Sequence, residues 1–144
     1  MFEFVCDTSR TVLHLLTTGV FERYPNINFI IPHAGGVIPY LAGRIKLYET
    51  LAPSTFKKMP KGVDHYLKRL YYDTAMSTAS AQLRCLTDYI PFEQIVIGTD
   101  YPFIPDEALT LVLDQLRQCD FISDQQRELI YYKNMLRLFP KFVQ

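Results

Sequence analysis

An α/β fold built on a parallel sheet is predicted by three features of the sequence. Short, almost wholly apolar runs rich in β-branched and aromatic residues, NINFII at 26–31, LYYDTA at 70–75 and QIVIGTD at 94–100, read as strands buried on both faces. Helical periodicity fills the intervals between them. The length of 144 residues suits one domain with a real core, since domains cluster near about 100–150 residues. Strands alternating with helices imply parallel pairing through right-handed crossovers. This pattern fits either an open doubly wound sheet or a section of a β/α barrel.

From Asp7 to Tyr24 the apolar positions Val12, Leu16, Val20 and Tyr24 recur every four residues, and Leu13 widens the stripe, as an amphipathic helix requires. Asp7, Thr8 or Ser9 is placed to cap it, and Pro25 to stop it. NINFII then runs to Pro32 and His33. After Gly35 and Gly36 a second helix reaches about Leu51, with Pro39 tolerated in its first turn and Leu41, Ile45 and Tyr48 on one side. The looser stretch APSTFKKMPKG leads to a short helix carrying Val63, Leu67 and Leu70. LYYDTA is a brief strand ending at Asp73. Ser77 or Thr78 can cap the next helix, which turns Leu83, Leu86 and Ile90 inward before QIVIGTD. Two helices close the chain, about 106–118 and 124–138, the second capped by Ser123 or Asp124.

Composition narrows the partners. Lys plus Arg and Asp plus Glu each number 15, so the net charge is zero, and no long basic run supplies the footprint of a nucleic-acid or anionic-membrane binder. A small or weakly charged partner is expected. No apolar run approaches the roughly 18 residues of a membrane span, and MFEFVCDTSR lacks a basic flank followed by an apolar core, so a cytoplasmic protein is expected. Cys6, Cys85 and Cys119 are an odd, widely spaced set, which reads as reduced thiols. The 10 Phe and 10 Tyr are a heavy aromatic load, and part of that surface is expected to meet a partner.

In both parallel architectures the working residues lie just beyond the C-terminal ends of strands. His33, Asp73 and Asp100 fall there. A satisfied turn histidine, an Asx turn at Asp73 and a capping role for Asp100 are the structural alternatives.

The stretches HAGG, YDTA and GTDYPF, in this order, resemble the amidohydrolase-related metalloenzymes of the aminocarboxymuconate-semialdehyde decarboxylase type. GVFERYPNINFIIPHAGGVIPYLAGRI resembles the family's fifth helix, sixth strand and sixth helix. LYYDTA is similar to its seventh strand, QIVIGTDYPF to its eighth, and NMLRLF to the closing N-A-x-x-L-F helix. The resemblance implies that residues 1–144 are the last three strand-helix units of an incomplete (β/α)8 TIM-type barrel of the metal-dependent hydrolase type. It also implies a divalent metal, usually zinc, held by an H-x-H or E-x-H pair after strand one, a histidine after strand five and an aspartate after strand eight. Asp100 matches that aspartate, and His33 matches the strand-six histidine that handles protons. Arg44 matches an arginine that can hold a substrate carboxylate, sometimes in a neighbouring subunit's site.

The residue types suit that chemistry. A metal that lowers the pKa of its water toward about 7 needs a hard anionic ligand and a nearby base titrating in the same range. Within residues 1–144 no H-x-H or E-x-H pair and no strand-five histidine stands before the first strand, and His14 and His65 lie in helices, where exposed histidines are expected. Zinc binding by this chain alone is therefore expected to be weak or absent. The resemblance implies a metal-dependent carboxy-lyase for a small carboxylate-bearing substrate, with a C–O or C–N hydrolase of the same superfamily as the alternative. A truncated product, one half of a split enzyme, an expressed fragment, or a non-catalytic remnant acting as an assembly partner would each account for the absent ligands. Strands six and eight would present unpaired edges, so a homo-oligomer is expected.

Overall fold

The computed structural model describes residues 2–142. Three strands, β1 (Ile30–Ile31), β2 (Tyr71–Asp73) and β3 (Ile95–Val96), form one parallel sheet in the order β1-β2-β3. Ile30 stands opposite Tyr71, and Asp73 opposite Val96. The crossover from β1 to β2 carries α3 (Ile38–Leu51) and α4 (Val63–Leu67), and that from β2 to β3 carries α5 (Ser80–Tyr89). Helix α1 (Phe2–Thr17) and the single turn α2 (Val20–Arg23) precede the sheet. Helices α6 (Asp106–Arg117), α7 (Asp124–Glu128) and α8 (Asn134–Leu138) follow it. The core joins Leu16, Phe21, Tyr66, Tyr72, Leu86 and Ile95, all fully buried, so helices and sheet share one apolar interior.

The first helix begins earlier than its capping residues suggest and breaks before Tyr24. Asp7, Thr8 and Ser9 lie inside α1 and cap nothing. Ser9 is buried on the same stripe as Val12 and Leu16, and its hydroxyl donates to the Val5 carbonyl at 2.7 Å. The break falls at Gly19, whose left-handed φ of 77° stops the helical ladder, and where a Cβ would stand 2.8 Å from Lys58 Cβ.

The paired strands are shorter than the apolar runs because other donors take over their backbone. Arg69 Nη2 donates to the Pro25 carbonyl at 2.9 Å and to that of Ile27 at 3.5 Å, which ties the start of NINFII to the loop after β2's preceding helix. Beyond β3, the Gly98 N–H donates to Thr74 Oγ1, and Ile97 N–H donates to the Ile130 carbonyl. The last of these involves the π-helical turn Leu129–Lys133 that joins α7 to α8, where Asn134 N–H reaches back to Leu129 O and Ile130 O is left for the strand. Asn134 also donates its buried amide to the Phe92 and Ile95 carbonyls, each at 2.7 Å.

The terminal helices thus cover the β3 edge that the sequence leaves unpaired, and Ile95 and Val96 are fully buried. At the other edge Ile30 remains 39% exposed. Ser123 caps α7 as expected, accepting from Gln126 N–H while Gln126 Oε1 accepts from Ser123 N–H. The cap of α5 is not Ser77 or Thr78. Ala79 stands at that position, with its N–H satisfied by Gln82 Oε1, and Thr78 instead donates to Gln115 Oε1 of α6. The three cysteines are free, and no described helix is long and apolar enough to cross a membrane.

Candidate active site

The chain leaves β1 through Pro32 into a tight turn at His33–Gly35, whose hydrogen bonds run from Gly35 N–H to Pro32 O and from Gly36 N–H to His33 O. His33 and Ala34 both have φ of 55°, a left-handed conformation that costs non-glycine residues roughly 1–2 kcal/mol each. Such strain persists only where the surroundings impose it. Two anchors do so here. Ser9 Oγ accepts from Val37 N–H at 2.9 Å, stitching α1 to the loop, and Asp73 Oδ1 accepts from His33 N–H at 2.8 Å.

Asp73 ends the central strand. The same Oδ1 accepts from Ala75 N–H at 3.0 Å, so the Asx turn read from LYYDTA is present. His33 Nδ1 lies 3.2 Å from the Ala75 carbonyl. Burial pushes the Asp73 carboxyl above the usual carboxylate range, and the N–H donors of Ala75 and His33 and the charge of His33 partly offset it, while Asp100 adds to it. Asp73 therefore senses both other candidate residues. Thr74 links the third loop: its hydroxyl donates to Gly98 O and accepts from Gly98 N–H, both at 3.1 Å.

Asp100 is half-buried and, like His33, left-handed, with φ of 70°. Phe103 N–H donates to its carbonyl at 2.8 Å, and Thr99 Oγ1 accepts from Tyr101 N–H. His33, Asp73 and Asp100 accordingly gather at the C-terminal ends of β1, β2 and β3. Arg44 does not join them. It sits on the exposed face of α3 with its guanidinium 5.7 Å from the Tyr48 ring, and no hydrogen bond or ion pair among the described residues ties it to His33 or Asp100. His14 and His65 are exposed, as expected for helix-surface histidines.

The donors present do not by themselves fit a divalent metal. A tightly held zinc takes about four protein ligands, or three with water. Here Nδ1 of His33 faces a carbonyl, Asp73 Oδ1 is occupied by two N–H groups, and among the described residues no three His, Cys, Asp or Glu side chains form a ligand group.

The parallel α/β section thus carries a strained histidine and two carboxylates at its strand mouths. The amidohydrolase family model matches residues 4–141, and the chain belongs to that family. The 6-methylsalicylic acid decarboxylase of Penicillium expansum is 28% identical over 141 residues, spanning 98% of this chain and 43% of its own length. A crystal structure of an amidohydrolase II superposes with a TM-score of 0.85 at 30% identity, over 95% of this chain and 43% of that one. A dihydroxybenzoic acid decarboxylase of Polaromonas sp. JS666, solved with bound manganese and the inhibitor 2-nitroresorcinol, gives a TM-score of 0.76 at 25% identity, over 95% of this chain and 41% of that one. This chain spans less than half the length of these relatives, and its three strand-helix units are part of a TIM-type barrel.

Proposed function

We propose that this chain supplies the proton-handling part of a metal-dependent decarboxylase acting on a small carboxylate-bearing organic acid. The observation that carries the reading is His33, held in a strained conformation by a half-buried carboxylate at the strand mouth it shares with Asp100. Relatives that decarboxylate 6-methylsalicylic and dihydroxybenzoic acids support the substrate class. The chemistry a divalent metal would supply, held in the complete barrel, is polarisation of the substrate. In this reading Asp100 contributes one anionic oxygen ligand to that metal. As the bond to the carboxylate breaks and carbon dioxide leaves its electron pair on carbon, His33, having first taken up a proton on Nε2, delivers that proton to the carbon and returns to its neutral form. Arg44, turned away from its own chain's His33, holds a substrate carboxylate in a neighbouring subunit.

The test compares this chain alone with the chain co-produced with the polypeptide encoded upstream of it, each dialysed against manganese or zinc. The chain alone is expected to retain well under one equivalent of metal and to show little turnover. The combined protein is expected to hold about one equivalent per site and to release carbon dioxide from a hydroxylated aromatic acid. A combined protein that holds metal yet decarboxylates no such acid counts against this reading, and hydrolysis of an ester or amide would favour the hydrolytic alternative. The missing ligand group keeps a non-catalytic assembly role as a second reading, and tight stoichiometric metal in the chain alone would remove it.

Self-association is part of the proposal. Tyr40, Leu47, Tyr48 and Leu51 are exposed along one helix, α3, and Ile30 is exposed at the uncovered sheet edge. Light scattering at micromolar concentration should show a dimer or larger species, and Ile30→Lys should shift it toward monomer by blunting that edge. A stable wild-type monomer of 16.8 kDa is the contrary outcome.

A further inference from the structure

We propose that Asp73 is a positioning residue for His33, fixing which ring nitrogen of the neutral imidazole carries the proton. An Asx turn accounts for the bond from Ala75 N–H, two residues on, but not for the bond to His33 N–H, 40 residues away on another strand. Both converge on one oxygen, so a single carboxylate sets the position of the His33 backbone against that of Ala75. The ring then meets the carbonyl of the same Ala75, with Nδ1 at 3.2 Å. A carbonyl oxygen only accepts, so the nitrogen facing it is the protonated one. Nε2 is left as the basic nitrogen, the one that can take or return a proton at a substrate.

The rest of the loop cluster presses the carboxylate into place. A Cβ on Gly98 would lie 2.8 Å from Asp73 Cγ and 3.0 Å from Oδ2, so the third loop closes against Asp73 as tightly as glycine allows. Thr74, the next residue, holds that loop through both backbone atoms of Gly98. The end of the central strand thus joins the His33 and Asp100 loops, and the ring orientation follows from backbone geometry that Asp73 enforces. The idea that the nitrogen so exposed does chemistry rests on the proposed decarboxylase function, whereas the tautomer does not.

Long-range nitrogen–proton NMR on the full chain reads the tautomer directly, without metal or substrate, with the three histidine rings assigned through His14→Gln and His65→Gln. Wild-type His33 is expected to be mainly Nδ1–H when neutral. Asp73→Asn keeps an oxygen acceptor and should preserve that majority. Asp73→Ala should lose it, moving His33 toward the Nε2–H form that free histidine prefers. Asp73→Ser tests the same point if the alanine variant does not fold, because a serine hydroxyl can still receive Ala75 N–H in the local turn but is too short to hold His33 as well. A wild-type ring that is mainly Nε2–H overturns the proposal, as does a folded Ser or Ala variant in which the Nδ1–H majority survives, or an Asn variant that loses it. Failure of decarboxylation in the combined protein would leave this result standing, so the two readings fall separately.

Discussion

His33→Ala in the combined, metal-loaded protein should lower turnover by about 10²–10⁴-fold while leaving metal content unchanged. That range is the usual contribution of a positioned acid or base. Metal content should hold because His33 presents Nδ1 to a carbonyl and contributes no ligand in the proposed site. Asp100 behaves differently. Its φ of 70° favours a residue that tolerates the left-handed region, so Asp100→Asn tests the charge without straining the turn. The Asn variant should lose metal and turnover together, because a neutral amide replaces the anionic oxygen. Metal analysis beside carbon dioxide release separates the two residues, and equal metal loss in both variants would mean that their roles are confused.

What could be read in advance follows the range of the forces involved. β2 and β3 were legible because burial on both faces leaves an almost continuous apolar run, whereas β1 was found by its β-branched residues although Ile30 stays exposed at the sheet edge, and the cap of α7 was legible to Ser123 or Asp124 because a cap is local. Place alone put His33, Asp73 and Asp100 just past apolar strands, and the likeness of HAGG and GTDYPF to the family's motifs singled out His33 and Asp100. The extent of the strands was less legible, since Arg69 and the π-helical turn at Leu129–Lys133 claim backbone groups from far along the chain. Asp73 was half legible: its Asx turn is local, but its bond to His33 spans 40 residues.

Ser9 shows a signal that was present and misread. It lies three residues before Val12 and seven before Leu16, on the apolar stripe itself, where a helix buries its side chains. A serine there must find a buried partner, and it finds Val5 O and Val37 N–H. Read as a cap, it placed the helix start near residue 7 when the helix begins at Phe2.

Gly36→Ala should be the most damaging single change to the fold around this site. Gly36 has φ of 64° and ψ of −117°, a conformation essentially restricted to glycine, and forcing another residue into it costs about 1–3 kcal/mol. Space is also lacking. A Cβ would stand 2.3 Å from the Val5 carbonyl oxygen and 2.6 Å from Ser9 Oγ, both on α1. The carbonyl is backbone and already receives the Ser9 hydroxyl, so relief requires α1 to move off the loop, breaking the bond from Val37 N–H to Ser9. Overpacking of this kind adds a further 1–3 kcal/mol or so. Together the two effects amount to about 2–6 kcal/mol, a large share of the roughly 5–15 kcal/mol that stabilises an ordinary domain. Gly43→Ala is the internal control, since that glycine is exposed within α3 and a Cβ there meets nothing within 4 Å. It should stabilise by up to about 1 kcal/mol through helix propensity. In urea the two midpoints should therefore move in opposite directions, Gly36→Ala downward and Gly43→Ala slightly upward. A Gly36→Ala protein as stable as the wild type would show that α1 is not clamped to the His33 loop, and the restraint on the histidine would then rest on Asp73 alone.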